Sequence, residues 1–514
     1  MVLWLCLSRI TTSQRRFDRM PWFYNRHDDF LLSPAYFRKR WSAPGGYREV
    51  LWLAGPLILS TGSWSIQHFV DRMFLTWYSP DAMAAALPAG MLSFTVVSFF
   101  IGTASYANTF VAQYYGARRF DRVGPSVWQA IYFALAAGLL ILVLIPLAPA
   151  IFAWSGHDPA LQEMERVYFQ ILCAGGFFIV YSNALSGFFT GRGKVVEVMW
   201  INLAGTAVNL TFDYLWIFGR CGFPEMGIAG AAWATVLASA FNAVAFTALF
   251  LLPTNRRAYA TLRGWRFDRA LFGRLMRYGV PSGVQFMLDM LGFTIFTFFV
   301  GRLGTLELGA TNLAFQINTL AFLPMMGFGI AASTLVGQRL GQDNPDLAAR
   351  SAWSAFHMTF VFMAAIAIAY VAVPQLFLDP FAARANPAEF AALSAMAIVL
   401  LRFVAAYCVF DTMNIIFAAA LKGAGDTRFV MYTAVLLGWA VMVIPTWIIV
   451  RYRLGGIYLA WTFMTAYVIL LALLFFARFQ QGRWRSMRVI EKQPAFVPAT
   501  PPTPDVPTPE AEIK

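Results

Sequence analysis

The sequence predicts an all-α integral membrane protein whose twelve transmembrane helices form two six-helix lobes. Of its 514 residues, 59% are hydrophobic and only 13% are charged, whereas about 25% of the residues of soluble proteins are charged. The apolar residues fall in blocks close to the ~20 residues that a helix needs to cross a bilayer. A set of residues also recurs at one constant offset along the chain. Because lipid offers no partner to backbone polar groups, long apolar blocks in a membrane must be helices.

Twelve apolar blocks are predicted to be spans. In chain order they cover roughly 49–77, 85–112, 127–153, 166–190, 196–218, 228–252, 275–300, 308–336, 352–378, 390–420, 429–450 and 456–478. Each half holds six spans, an even number, so both halves enter the membrane from the same side. The repeat is therefore parallel, with its axis along the membrane normal.

The repeat is carried by residues at matched positions in the two halves. Pro56 returns as Pro281, and the set Val111, Gln113, Gly116 and Asp121 returns as Val336, Gln338, Gly341 and Asp346. Between the fourth and fifth spans of each half, Gly191-Arg-Gly193 corresponds to Gly423-Ala-Gly425. These glycines permit a tight turn with positive φ, and a short loop is the simplest interpretation of them. Membrane proteins built from two such units are typically transporters with a cavity between the halves.

The net charge of +13 indicates topology rather than nucleic-acid binding. With the N-terminus inside, 31 of the 39 Lys and Arg residues lie in inner segments and seven lie in outer loops, while Arg402 lies within a span. This asymmetry predicts that both termini of this multi-pass membrane protein are cytoplasmic.

The chain is predicted to divide into five segments. Residues 1–46 form a basic cytoplasmic leader, with Met20 as an alternative start, and 47–252 form the first lobe. Residues 253–274 form a cytoplasmic linker, 275–480 the second lobe, and 481–514 a disordered, proline-rich cytoplasmic tail.

Several kinds of chemistry have no sequence signature. The four cysteines show no paired spacing, and four scattered histidines predict no metal cluster. Gly193-Lys194 is followed by Val195 rather than Ser or Thr, so there is no nucleotide-binding phosphate loop. We therefore expect no cofactor, and energy that comes from a sodium or proton gradient.

Three carboxylates in the predicted spans are the candidate cation-coupling residues: Asp71, Asp289 and Asp411. An Asp at mid-membrane costs about 2.5–3.5 kcal/mol on insertion scales, so each needs a reason. Asp289 and Asp411 are also candidate sodium ligands in the second half. Two alternatives remain open at this point: an interfacial ion pair of Asp71 with Arg72, and a pairing of Asp411 with Arg402.

Candidate substrate-binding residues share helix faces with these acids or lie on neighbouring spans. They are Gln67, Gln285, Tyr407, Asn414, Asn209, Asp213 and Phe286. For Asn209 and Asp213, hydrogen bonding between helices competes equally with a cation-site role. Phe286 belongs to an aromatic-rich seventh span, which favours flat organic cations through stacking and cation–π contact, although such residues also face lipid.

In the order of its motifs, the chain resembles the multidrug and toxic compound extrusion (MATE) transporters, in particular the NorM-like branch. The resemblance covers about residues 47–480. It rests on Gly55-Pro56, Val70-Asp71, Val111–Gly116, Val280-Pro281 with Asp289, Val336–Gly341, and Asp411 followed by Ala420–Thr427. It departs from the family at the seventh-span acid, which is commonly Glu and here is Asp289.

The resemblance implies a V-shaped pair of lobes that exports organic cations in exchange for sodium ions or protons. It implies roles in cation coupling or drug binding for Asp71, Asp289 and Asp411, and the internal repeat favours a monomer. The closest alternative is a flippase for lipid-linked precursors of a related two-lobe fold. That function would need a cavity rich in Arg or Lys, and a membrane-embedded enzyme would need metal-ligand spacing in the spans.

Overall fold

In a computed structural model, which describes residue 38 and residues 40–153, 157–382 and 387–491, the regular structure is helical. The first half contains α1 (Tyr47–Tyr78), α2 (Pro80–Ala104), α3 (Ala107–Gly116), α4 (Phe120–Leu142), α5 (Ala148–Ala153), α6 (Pro159–Thr190), α7 (Val195–Phe218) and α8 (Ile228–Phe250). The linker contains α9 (Pro253–Tyr259) and a 3-10 turn (Arg263–Trp265). The second half contains α10 (Arg269–Gly301), α11 (Thr305–Gly341), α12 (Pro345–Ala372), α13 (Pro374–Ala382), α14 (Pro387–Ala424), α15 (Thr427–Leu437), α16 (Ile444–Tyr452) and α17 (Gly456–Gln480).

Each predicted span corresponds to a helix or to a pair of consecutive helices. Within the described residues, eleven helical segments are long and apolar enough to cross a membrane. The α1 helix has 32 residues but is not among the eleven. It carries Gln67, His68, Asp71 and Arg72 in its C-terminal half, and these polar side chains lower its mean hydropathy.

The eleventh span is interrupted by a π-helical turn, Gly438–Val443, which joins α15 to α16. Pro445 follows directly after this turn. Proline lacks the amide hydrogen that would bond to the carbonyl four residues earlier, which favours a local change in the hydrogen-bonding pattern. The turn thereby widens the helix beside Asp289, a site described below.

The repeated Gln-x-x-Gly motifs cross each other where the two halves meet. A Cβ on Gly116 would lie 2.0 Å from the backbone oxygen of Gln338, and a Cβ on Gly341 would lie 2.1 Å from that of Gln113. Only glycine permits the backbones to approach this closely. We call this end of the bundle, where α3 and α11 terminate, the base.

The same two glutamines also bond across the base. Gln113 Nε2 donates to Gly423 O at 2.9 Å, and Gln338 Nε2 donates to Gly191 O at 2.8 Å. Each acceptor precedes a turn glycine with positive φ, at +79° for Gly193 and +111° for Gly425. The predicted tight turns are confirmed, and their carbonyls hold the partner lobe. Hydrogen bonds between the halves extend from the base to Thr61, whose Oγ1 donates to Leu323 O at 3.3 Å.

The predicted disordered tail begins too early at 481. Residues 483–491, which we call the terminal strap, begin with a 3-10 turn and lie against the base. The Trp484 ring is buried and stacks on Phe479 at 4.8 Å between centroids. The prediction of disorder from residue 481 onward rested on the proline-rich composition of the residues that follow the strap. That composition hid the signal of Trp484 and its charged neighbours. Residues 492–514, like most of the predicted leader, lie outside the described residues.

Candidate functional site

Two buried carboxylates come together in the first lobe. Asp71 on α1 is 7% exposed and Asp213 on α7 is fully buried. They lie close enough for their charges to interact. The Asn209 amide, oriented by its hydrogen-bond partners, donates to Asp213 Oδ2 at 2.9 Å and accepts from the Thr235 amide at 3.3 Å. Asn209 therefore fixes one oxygen of Asp213 and leaves the other for the Asp71 side.

One oxygen of each carboxylate has no protein partner. Asp71 Oδ1 and Asp213 Oδ1 are both buried and accept no hydrogen bond within the described residues. An unpartnered buried carboxylate oxygen is costly unless a proton or a cation reaches it. The arrangement is therefore suited to binding a positive charge between α1 and α7.

The alternative ion pair between Asp71 and Arg72 does not form in the described structure. Asp71 points into the lobe, whereas Arg72 is exposed, because consecutive helical residues do not face each other. Gln67, one turn before Asp71, is also buried. Hydrogen bonding between helices, the competing interpretation of the polar residues on the fifth span, is made by Asn202, whose Nδ2 donates to Ser60 Oγ at 2.6 Å, and also by Asn209 through Thr235.

The second lobe holds two separate carboxylate centres. Gln285 Nε2 donates to Asp289 Oδ2 at 3.0 Å, one helical turn away on α10. Asn414 Nδ2 donates to Asp411 Oδ1 at 2.8 Å on α14. The described structure shows no hydrogen bond between the two acids, so the predicted shared site is not closed by direct contact. Both carboxylates interact electrostatically with buried Tyr467, which places that side chain within reach of each.

Asp289 lines a small cavity against the π-helical turn. The cavity is bounded by Leu288, Asp289, Gly292, Ala434, Val435, Gly438, Trp439, Met442 and Tyr467. π-helical turns are frequent at functional sites. Here the turn displaces the α15–α16 backbone beside the acid. The cavity leaves a small space beside a carboxylate whose other neighbours are mostly apolar.

Lys422 supplies a positive charge near Asp289. The sequence places it in an inner loop, but it lies in the last turn of α14. Its ammonium interacts with the Asp289 carboxylate, yet no ion pair of 4.0 Å or less joins them in the described structure. Arg402, by contrast, is exposed and forms no ion pair with Asp411 in the described part of the chain.

The remaining candidate residues occupy different positions. Tyr407 is 3% exposed and accepts a hydrogen bond from Asn318 Nδ2 at 3.2 Å on the neighbouring α11, so it helps to pack the lobe. Phe286 meets Phe94 of the first lobe edge-to-face, with ring centroids 6.1 Å apart. It is thus the predicted substrate-binding residue that lies between the lobes.

Sequence reasoning missed several neighbours of the acids. Tyr168 on α6 lies close to both first-lobe carboxylates, and Thr235 on α8 orients Asn209. Tyr467 on α17 plays the matching part in the second lobe. Hydroxyl-bearing residues are common in spans, so only the packing of distant helices identifies these three.

Clusters of three or more His, Cys, Asp or Glu side chains that could hold a metal ion are not found among residues 38, 40–153, 157–382 and 387–491. A sodium ion instead prefers oxygen ligands such as carboxylates, amides and hydroxyls. Asp411, Asn414, Asp289 and Gln285 carry that donor type.

Comparison with known proteins reproduces the internal repeat. The family model MatE matches twice, at residues 56–215 and 281–448. The chain is 28% identical over 416 residues to the probable multidrug resistance protein NorM of Mesorhizobium japonicum, covering 79% of this chain and 88% of that protein. It is 27% identical over 442 residues to the protein of the same name from Rhodopseudomonas palustris, covering 84% and 91%.

Solved structures show the same fold. A multidrug resistance MATE family transporter of the MOP superfamily, solved in an outward-facing conformation, aligns with a TM-score of 0.78 at 18% identity, over 89% of this chain and 99% of that one. A MOP superfamily transporter of Pyrococcus furiosus, described as having a binding pocket of reverse polarity, aligns with a TM-score of 0.77 at 19% identity, over 88% and 99%. The two matches to the MatE model cover more than half of the chain, which therefore belongs to the MATE family of multidrug efflux transporters.

Proposed function

We propose that this protein exports organic cations in exchange for sodium ions or protons by alternating access. The observation that carries the proposal is that each lobe buries carboxylates. In the first lobe, Asp71 and Asp213 leave two buried oxygens without a partner. In the second, the one hydrogen bond described for each of Asp289 and Asp411 comes from an amide side chain on its own helix. Burial of a carboxylate among apolar helices costs free energy, so carboxylates at these positions indicate that the protein binds and transports cations.

The coupling ion is proposed to bind in the second lobe, at Asp289 and Asp411. There it competes with a cationic substrate for the same negative charge. An ion shifts the balance between two orientations only by its difference in affinity for them. The cavity at the π-helical turn is the proposed place where that difference in affinity arises. Asp71 and Asp213 act on the first-lobe side, in substrate binding or protonation.

We propose that the base faces the cytoplasm of a bacterial inner membrane. With the N-terminus inside, 31 of the 39 Lys and Arg residues lie in inner segments, which include the linker, the terminal strap and the loops at Gly116 and Gly341, as the positive-inside rule requires. Residues 47–252 and 275–480 then act as the two moving lobes of a monomer, connected by residues 253–274.

The test is export of ethidium by proteoliposomes in which sodium and proton gradients are imposed separately. Asp289→Asn and Asp411→Asn are expected to abolish gradient-driven export without loss of folded protein. Asp81→Asn, which removes an exposed carboxylate from the first turn of α2, is the matched control and should transport normally. Full export by both second-lobe variants would contradict the site assignment.

The flippase alternative makes a different prediction in the same assay. A lipid-linked phosphate needs basic side chains in the cavity, and Lys422, whose ammonium interacts with Asp289, is the candidate for that role in the second lobe. If ethidium is not exported under either gradient, while a fluorescent lipid-linked phosphate crosses the bilayer, the protein is a flippase. The Lys422→Gln variant should then lose that activity.

A further inference from the structure

The terminal strap crosses from the second half of the chain to the first. On the second-lobe side, Trp484 Nε1 donates to Phe479 O at 2.8 Å. Arg485 pairs with Asp346 at 3.1 Å, and Arg488 pairs with Asp343 at 3.0 Å. These contacts anchor the strap to α17 and to the loop that follows α11.

The other end of the strap is held by the first lobe. The Val489 amide donates to Gln113 Oε1 at 2.9 Å. The Val489 side chain is 2% exposed and belongs to the apolar core of the first half. Gln113 thus uses its amide nitrogen to hold Gly423 and its amide oxygen to hold the strap. The strap therefore completes one of the two glutamine contacts that close the base.

Glu491 attaches the strap to the first lobe and also to the start of α10. Its carboxylate contacts Arg119 at 2.6 Å, Arg122 at 3.6 Å and Arg274, and it accepts a hydrogen bond from Tyr114 Oη at 2.8 Å. Burial alone would raise the pKa of Glu491, but the hydrogen bonds from Arg274 and Tyr114 and the Arg274 charge hold that pKa at about 2. A carboxylate shared by three guanidinium groups gains more than an isolated surface pair.

We propose that the terminal strap is a latch that holds the base closed and must release before the base can open. The repeated glutamine contacts are present in both halves, whereas the strap follows only the second half. The strap therefore adds contacts that stabilise the closed base and that have no counterpart related by the internal repeat. Separation of Gly116 from Gly341 would break either the first-lobe contacts of Val489 and Glu491 or the second-lobe contacts of residues 484–488.

The experiment measures the distance between the lobes at the base of the full-length protein in nanodiscs. Spin labels at Arg118→Cys and Gln342→Cys, both exposed beside the crossing, report that distance by double electron–electron resonance. The labelled protein without further substitutions is expected to show one short distance between the two spin labels. Glu491→Gln, which removes the charge and keeps the shape, should raise the ratio of open to closed base about tenfold, equivalent to about 1.4 kcal/mol.

Two controls separate the latch from general destabilisation. Asp346→Asn neutralises an exposed carboxylate that pairs with the same strap, and it should change the ratio by less than about twofold, as expected for a surface ion pair. Truncation after Met487, which removes Val489 and Glu491, should open the base at least as much as Glu491→Gln. Truncation after Glu491 should not. An unchanged distance distribution in both Glu491→Gln and the Met487 truncation would overturn the proposal.

The readout is a distance and needs no transported substrate. Failure of the latch would leave the proposed export unaffected, and failure of export would leave the latch measurable.

Discussion

Alanine at Gly116 or Gly341 is expected to weaken closure of the base selectively. The new Cβ would lie 2.0 or 2.1 Å from a backbone oxygen of the other lobe, and Cβ contacts below 3.0 Å essentially do not occur. The atom that it meets is backbone and cannot rotate away. The two lobes must therefore separate by about 1 Å at the crossing, which also lengthens the glutamine hydrogen bonds beside it.

The magnitude follows from the cost of overpacking, which is about 1–3 kcal/mol for an added methyl group in a tight contact. Because the contact is made only when the base is closed, this cost falls on one conformation. The ratio of open to closed base should rise about fivefold to 150-fold. Gly116→Ala and Gly341→Ala act on the same crossing. The double variant should therefore weaken closure of the base by less free energy than the two single variants added together.

The assay is the spin-label distance at the base, combined with thermal unfolding of the purified protein. Gly55→Ala and Gly62→Ala on α1 are the controls, because a Cβ at either position meets nothing within 4 Å. These two changes should leave the distance unaltered and the unfolding temperature unchanged or raised, since Ala favours helix over Gly by about 1 kcal/mol. If Gly116→Ala retains the original closed population, the motif does not close the base.

Three further outcomes are expected. The folded-state pKa of Glu491 is about 2. Its contribution to closure of the base is therefore complete at any pH above the ordinary pKa of a glutamate, and it is lost only as the pH falls toward 2. The difference in closure between the starting protein and Glu491→Gln should thus be constant from about pH 5.5 to 8, and a difference that vanishes at pH 6 would contradict this. In a Cys6→Ser background, a membrane-impermeant maleimide should label exposed Cys221 from outside intact spheroplasts and spare buried Cys173 and Cys408; labelling only after lysis would invert the topology. Asn209→Leu, which removes the donor to Asp213, should lower ethidium export by about tenfold or more at normal expression in cells, and export equal to that of the starting protein would exclude the first-lobe site.

Much of the fold could be predicted because membrane insertion imposes long apolar helices. The offset that relates Gln113 to Gln338 also relates the starting residues of the two matches to the family model. The sequence does not show what the repeated motif contacts. That each glutamine binds the opposite lobe, at Gly423 and Gly191, depends on how the two units pack around their axis.

The candidate site was predicted less completely, for a related reason. Asp71, Asp289 and Asp411 stand out because an acid in a span is costly. The association of Asp71 with Asp213 joins residues from the first and fifth spans, and no local spacing predicts it. Lys422 was missed because α14 continues through Ala424, beyond the end of its apolar block. Helix ends of this kind are the least reliable part of any prediction from periodicity.

The crossing at the base also has the symmetry of a homodimer interface. Gly116 meets Gln338 while Gly341 meets Gln113, so position i of one unit contacts position j of the other and the reverse. Reciprocity of this kind is the defining property of an isologous interface in a twofold homodimer. The contact is thus of the kind that two identical half-length chains would make with each other. A side chain added at either glycine would meet the backbone of the other half, so the two positions carry the same steric constraint.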